Sequence, residues 1–197
     1  MLAEAKLDAI TAIYQRRAVR SYTAENIEKS AIDELIDAAV HAPTAVHREP
    51  WAFAVIQNKE RLRQYSDGAK SLLLAQQEAK SFFQAAEPQA LAVLHDPSFN
   101  IFYDAGTLIV ICARPLGNFV TADCWLAAEN LMLAAAALGL GTCCIGFAVP
   151  VMNTAEVKRE LGIGADVTAV APIIVGVPAT APVPPPRKTP EVLSWIR

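Results

Sequence analysis

The chain has little of what metal, disulfide and nucleic-acid sites require. It carries three histidines and four cysteines in 197 residues. No CxxC spacing occurs, and Cys143 and Cys144 are adjacent, which suits neither an ordinary disulfide nor a zinc ribbon. The cysteines therefore read as small, reduced core residues. No histidine stands at ligand spacing from Asp123, Glu129 or Asn130, so no metal site is expected there. Glu129 and Asn130 are expected instead to satisfy buried polar partners or to face across a subunit axis. His41 and His95 are isolated and need no function.

Excess positive charge is also missing. A net charge of −3 and a pI near 5.6 exclude a broadly basic surface, so nucleic acid is not an expected partner. Ser21 and Ser98 have neither a placed histidine nor an oxyanion motif, which removes support for hydrolase chemistry. Gly139-Leu140-Gly141 follows a helical pattern rather than a strand and lacks the third glycine of a dinucleotide fingerprint. Glu4, Lys6 and Asp8 break up the opening segment, so no signal peptide is expected and a cytoplasmic location is. No internal repeat is evident before the proline-rich tail.

Apolar residues, by contrast, are abundant. They make up 53% of the chain, with a mean hydropathy of +0.29. This length forms one domain, 1–197, with room for a sizeable core. The charge-free stretch from Asn130 to Ala155 is long enough to span a bilayer. Its content argues otherwise: Ala134 to Ala137 are weakly hydrophobic, and Gly139, Gly141, Gly146 and Pro150 interrupt it. A buried helix followed by a strand, inside an oligomer, is expected there, and no membrane association.

The pattern alternates between helix and strand. Residues 3–17 predict a helix with Leu7, Ile10, Ile13 and Tyr14 on one stripe. Ser30 and Asp33 resemble a capping box that opens a second helix, with Ile32, Leu35, Ile36, Ala39 and Val40 on its apolar face and Pro43 stopping it. Trp51 to Gln57 reads as a strand, and Asn58 turns into a short helix. Residues 69–86 predict another helix, burying Leu72, Leu73, Ala79, Phe82 and Phe83. Ala90 to His95 and Thr107 to Ala113 read as buried strands.

A long helix over 121–138 is apolar nearly all round, as expected of burial on every side, and Gly139 suits a left-handed residue just past its end. Asn153 with Glu156 resembles another capping box, for a helix ending at Gly162. Ala169 to Val177 is the last strand, with Pro172 pointing to an edge or a bulge. From Pro178 the prolines prevent regular structure. Residues 178–197 should form an extended arm, anchored by Trp195 and Ile196 and wrapping a second subunit.

Two polar segments stand out against this background. Arg16-Arg17-Ala18-Val19-Arg20-Ser21-Tyr22 places three guanidinium groups within five residues at a helix end. Arginine forks suit phosphate because their donors are planar and bind bidentately. Ala42-Pro43-Thr44-Ala45-Val46-His47-Arg48-Glu49-Pro50-Trp51 combines a turn, a small hydroxyl, a polar side chain and a large aromatic before the first strand. A third segment, Gly139-Leu140-Gly141-Thr142-Cys143-Cys144-Ile145-Gly146, ends the long helix, and Pro186-Arg187-Lys188-Thr189-Pro190 lies in the tail.

In this order and spacing, over essentially the whole chain, the four segments resemble the nitroreductase family of flavin enzymes. That family has an Arg-Arg-Ser-x-Arg-type start, Pro-Ser-x-x-Asn-x-Gln-Pro-Trp before the first core strand, and Gly-Leu-Gly-x-x-x-x-Gly after the long helix. The resemblance implies an α+β fold: a central mixed, mainly antiparallel sheet flanked by helices, in an intertwined homodimer with FMN at the subunit interface.

Carried over by position, Arg16 and either Arg187 or Lys188 would bind the FMN phosphate. Arg17 and Ala18 would contact the cofactor through backbone. Arg20 would sit near the pyrimidine edge of the flavin, where a cation stabilises the anionic reduced ring. Pro43, Thr44 and Ala45 would line the ribityl chain and ring from the partner subunit. Ile145 and Gly146 would present backbone groups to the ring, with an N–H for N5.

Three positions depart from the pattern. Ala18 replaces the serine, His47 stands at the motif asparagine and Glu49 at the glutamine. His47 is expected to replace the polar contact at a net cost of about 1 kcal/mol rather than to act as an acid or base.

The resemblance implies electron transfer from NADH or NADPH to nitroaromatic or quinone-like acceptors in two alternating half-reactions. Two alternatives stand beside it: a flavin-binding or sequestering protein with little turnover, and an interaction protein whose apolar tail docks elsewhere. Phe99, Phe102 and Tyr103 read as core, or as an aromatic wall over the flavin.

Overall fold

The structure is a computed structural model, described over residues 7–78, 92–181 and 183–197. Helix α1 (Ala9–Gln15) is followed by α2 (Lys29–Val40), β1 (Trp51–Ile56), α3 (Lys59–Glu78), β2 (Thr107–Ala113) and α4 (Val120–Ala137). Strand β3 (Gly141–Cys144), the short helices α5 (Val149–Met152) and α6 (Ala155–Glu160), and β4 (Thr168–Gly176) complete it. The strands form one sheet in the order β1-β2-β4-β3, and every ladder is antiparallel. Among the described residues the mixed character expected of the sheet is confined to one parallel bridge, Ala18 with Thr142.

Strand β2 is buried along its whole length, and its period-two alternation feeds two cores. Ile109, Ile111 and Ala113 join Ile173, Val175 and the inner faces of α2 and α4. Leu108, Val110 and Cys112 join Ile174, α3 and α5 on the opposite face. The molecule is thus a sheet sandwiched between two helical layers, the α+β architecture expected.

Several expectations change in detail. The stripe of α1 faces outward: Ile10, Ile13 and Tyr14 are exposed, and Ala12 is the buried position. Helix α2 starts at Lys29 with Glu28 before it, so Ser30 lies inside the first turn and no capping box forms. The helix expected after Asn58 and the described part of the one expected at 69–86 form a single helix, opened by the Asn58 side chain accepting from the Arg61 N–H at 3.0 Å. Ala79, Phe82 and Phe83 lie outside the described residues. The strand expected at 90–95 is not formed over its described part, where Val93–His95 makes a 3-10 turn.

Helix α4 buries Cys124, Ala127, Ala128, Leu131 and Ala135, but Trp125 and Leu126 stay 44% and 46% exposed. Its all-round apolar character is therefore not used up within one chain. Gly139 is left-handed, at φ 74°, and ends the helix as its sequence requires. The cap of α6 is Thr154, whose hydroxyl accepts from Val157. Asn153 instead exchanges two 2.9 Å hydrogen bonds with the Ala169 backbone, tying α5 to β4. Pro172 sits in an inner strand rather than at an edge, close to a register shift opposite Ile111 and Cys112. Its carbonyl accepts from the Ile145 N–H at 2.8 Å, just past the end of β3, where a missing N–H breaks no ladder bond. Among the described residues beyond Val177 none lies in a helix or strand, Pro178 makes one isolated bridge to Tyr22, and Trp195 and Ile196 are exposed. Among the described residues no helix is long and apolar enough to cross a membrane.

Candidate functional site

The arginine-rich segment leaves α1 at Arg16 and is laid along the free edge of β3. The Val19 N–H donates to the Thr142 carbonyl at 2.9 Å, Thr23 donates to Val177, and Ala179 donates to Ser21. Tyr22 closes the turn by donating its hydroxyl to the Val19 carbonyl at 2.7 Å. Two glycines permit this approach. A Cβ on Gly141 would meet Val19 side-chain atoms at 2.8 Å, and one on Gly176 would meet Tyr22 at 2.8 Å.

Pinning this segment to β3 brings residues 16–22 beside residues 143–147, although more than a hundred positions separate them. Between them opens a cleft of ≈ 500 Å³, with Arg20, Tyr103, Cys143, Ile145, Gly146 and Phe147 among its lining residues. That volume is in the range of small-ligand sites. Leu73 and Ile101 supply apolar floor.

The arginines are placed differently from one another. Arg16 holds its Nε 3.4 Å from Glu129 Oε1 on α4. Arg17 turns one terminal nitrogen back onto the carbonyls of Tyr14 and Arg16, at 2.6 and 2.7 Å. Its Nε is buried without a hydrogen-bond partner among the described residues. Such an orphan donor is costly unless a further acceptor arrives. Arg20 is exposed, lies over the Tyr103 ring 6.0 Å from its centroid, and pairs with no carboxylate among the described residues. Ala18 contributes through backbone, in its bridge to Thr142.

At the other wall, the Ile145 N–H is already given to Pro172. The N–H groups of Gly146 and Phe147 open the 3-10 turn Gly146–Ala148, so no carbonyl of that turn accepts them. Of the two residues expected to offer an N–H to a ligand, Gly146 is the one left able to. A Cβ at Gly146 would meet nothing within 4 Å, which is the open side of the cleft. Burial pushes the Cys143 thiol above its ordinary pKa, while the neighbouring Arg20 and Arg16 guanidinium groups pull it partly back.

The loop from Ala42 to Pro50 lies elsewhere in the chain, at the start of α4. The Ala45 N–H donates to the buried Asp123 carboxylate at 3.1 Å. Val46, His47 and Glu49 have left-handed backbones, at φ 49°, 52° and 45°. Pro43, Thr44, Ala45 and His47 do not line the cleft of their own chain. Arg187 and Lys188 are exposed in the tail and make no hydrogen bond or ion pair among the described residues. One chain therefore brings Arg20, Ile145 and Gly146 to one cleft, while Arg16, Arg17 and Ala18 precede it in the same segment without lining it, and the Pro43–His47 loop and the tail do not line it either.

Sequence reasoning expected a polar partner for Glu129 without identifying Arg16, and it missed Asp123 as the anchor of Ala45. Both contacts join segments about eighty residues or more apart, and a lone acidic residue on a helix does not announce its partner. Tyr103 carried a weak signal, as one of three aromatics before Asp104.

The nitroreductase family model matches residues 13–177. The chain belongs to the nitroreductase family. A protein of Methanothermobacter thermautotrophicus that carries the provisional name NADH dehydrogenase/NAD(P)H nitroreductase is 29% identical over 182 residues, covering 90% of this chain and 81% of that protein. The FMN reductase [NAD(P)H] of Bacillus subtilis is 25% identical over 191 residues, covering 95% of this chain and 72% of that one. A crystal structure of a nitroreductase with bound FMN from Bacteroides fragilis superposes with a TM-score of 0.77 at 23% identity, over 96% of this chain and 98% of that one.

Proposed function

We propose that this protein is an FMN-dependent NAD(P)H oxidoreductase that acts as a homodimer in the cytoplasm. The whole chain, 1–197, would work as one domain, with 178–197 as an arm. The observation that carries the reading is the cleft between two distant segments, with Arg20, which pairs with no carboxylate among the described residues, on one wall and Gly146 on the other. The family membership and the relatives' names support it.

The residues fit an anionic mononucleotide. Arg20 lines the cleft with no carboxylate partner among the described residues, the cleft floor is apolar, and in the same segment the buried Arg17 Nε has no acceptor among the described residues. When bound, FMN supplies hydride chemistry in two alternating half-reactions, from NADH or NADPH to a nitroaromatic or quinone-like acceptor. In this reading Arg16 holds the phosphate end, joined by Arg187 or Lys188 of the tail, and Arg17 meets the cofactor through its backbone. Ala18 contributes backbone, and Arg20 places positive charge where the ring becomes anionic. Gly146 donates its N–H to the ring. Pro43, Thr44, Ala45 and His47 complete the site from the second subunit. The exposed apolar residues Ile10, Ile13, Tyr14, Trp125 and Leu126 offer that subunit its seat.

The test is an absorption spectrum of purified protein, then anaerobic titration with NADH and NADPH. Flavin absorbance that bleaches on either donor and recovers with menadione is the expected result. Colourless protein that takes up no FMN would defeat the proposal. Yellow protein without turnover would leave a flavin binder.

A further inference from the structure

We infer that Tyr103 is a positioning residue that fixes the Arg20 guanidinium at the cleft and thereby sets the charge felt by whatever ring lies there. The inference rests on the proposed flavin site for its consequence, but the clamp itself is a property of the chain. Three observations carry it.

First, Arg20 has no ion-pair partner among the described residues, and its guanidinium carbon lies 6.0 Å from the Tyr103 ring centroid. A long, exposed arginine without a carboxylate samples many rotamers, and an aromatic face selects among them. Second, Tyr103 and Asp104 both have left-handed backbones, at φ 52° and 56°. A tyrosine held there is strained by about 1 kcal/mol or more, and such strain persists only where the surroundings impose it.

Third, the surroundings do impose it. The loop that delivers Tyr103 is fastened to α3 along its length. Lys70, which is 6% exposed, donates to the Phe99 carbonyl at 2.8 Å. Arg63 donates to the Pro97 carbonyl at 3.0 Å, and the Ser66 hydroxyl accepts from the Ile101 N–H at 3.0 Å. Asn100 donates to the Asp104 carboxylate at 2.8 Å. Phe99 packs its ring edge-on to Tyr103, at 5.6 Å and 82°. This anchoring exceeds what a surface loop needs, and it ends on a ring that faces a cation.

The test compares Tyr103→Phe and Tyr103→Asn. Phenylalanine keeps the ring. Asparagine removes it and accepts a left-handed backbone readily, so the variant adds no strain of its own. The first readout is the titration of Cys143 in flavin-free protein, followed by NMR of isotope-labelled cysteine, because the Arg20 charge acts on that thiol alongside Arg16 and Tyr22. The apparent pKa should rise in Tyr103→Asn, because a released Arg20 no longer holds it down, and stay put in Tyr103→Phe. The second readout is the potential of bound FMN, which should become more negative in Tyr103→Asn but show no further change when Arg20→Gln is already present.

An unmoved Cys143 titration overturns the clamp. A moved titration with an unchanged flavin potential overturns its effect on the ring. Equal potential shifts with and without Arg20 make Tyr103 a packing wall instead. Failure of the wild-type protein to take up FMN sinks the parent reading, which the flavin-free titration distinguishes from failure of the clamp.

Discussion

The Val19 N–H and the Thr142 carbonyl, 2.9 Å apart, join the arginine-rich segment to the edge of the sheet. That bond turns a basic helix end into one wall of a cleft. Its register depends on Gly141, where a side chain would collide with Val19. Gly141→Ala should cost roughly 1–3 kcal/mol through overpacking. Urea unfolding measures this, and an unchanged midpoint would mean that the segment can shift freely.

Asp123 is 4% exposed and accepts one hydrogen bond, from Ala45. Removing it leaves the Ala45 N–H short of a partner at the base of a loop with three left-handed residues. Asp123→Ala should destabilise the protein by roughly 1–3 kcal/mol, whereas Asp123→Asn keeps an acceptor and should cost less. Thermal unfolding of the two variants decides this. Equal losses would show that the charge, not the hydrogen bond, matters.

Arg16 is steadied by Glu129 at 3.4 Å. If Arg16 holds a phosphate, Arg16→Ala should weaken FMN binding by roughly ten- to a hundredfold, the worth of one charge-assisted hydrogen bond. Glu129→Gln should weaken it less. Fluorescence titration of FMN into flavin-free protein gives both values. Wild-type affinity in Arg16→Ala would contradict the phosphate assignment.

The outward apolar residues of α1 and α4 define a predicted interface. Trp125→Glu should yield a monomer in sedimentation velocity, at half the wild-type mass. A wild-type protein that already sediments as a monomer would remove the second subunit from the site.

Burial raises the Cys124 thiol to about 12 and those of Cys112 and Cys144 to about 11. An unfolded thiol titrates near ~8.5. Because the folded values are raised, the neutral thiols' contribution is fully present below the unfolded value and fades as pH climbs towards 11 to 12. Unfolding free energy should therefore fall between about pH 8.5 and the folded values. Cys124→Ala should flatten part of that decline. An identical pH slope in the variant would place its origin elsewhere.

Much of the fold was legible because the local signals agreed with the packing. Thr107 to Ala113 was readable residue by residue as a buried strand, since nothing in so apolar a run competes with the sheet. Gly139 marked the end of α4 because a left-handed residue was needed and no side chain resisted it. The errors arose where a tertiary partner outbid a local one. Asn153 looked like a cap, but Ala169 offers it two hydrogen bonds and Thr154 takes the capping role. The apolar stripe of α1 is legible as a stripe, but its exposure is not, because periodicity does not say what covers a face.

The sequence by itself determined the strands at 51–57, 107–113 and 169–177, the apolar excess and the four segments that mark the family, since these follow from spacing and composition. The tertiary structure decided which of those segments meet. Arg20 shares a cleft with Ile145 and Gly146 because Val19 bonds to β3, and Arg16 meets Glu129 because α1 packs against α4. Contacts between positions so far apart are set by how strands and helices pack, and no local pattern encodes them.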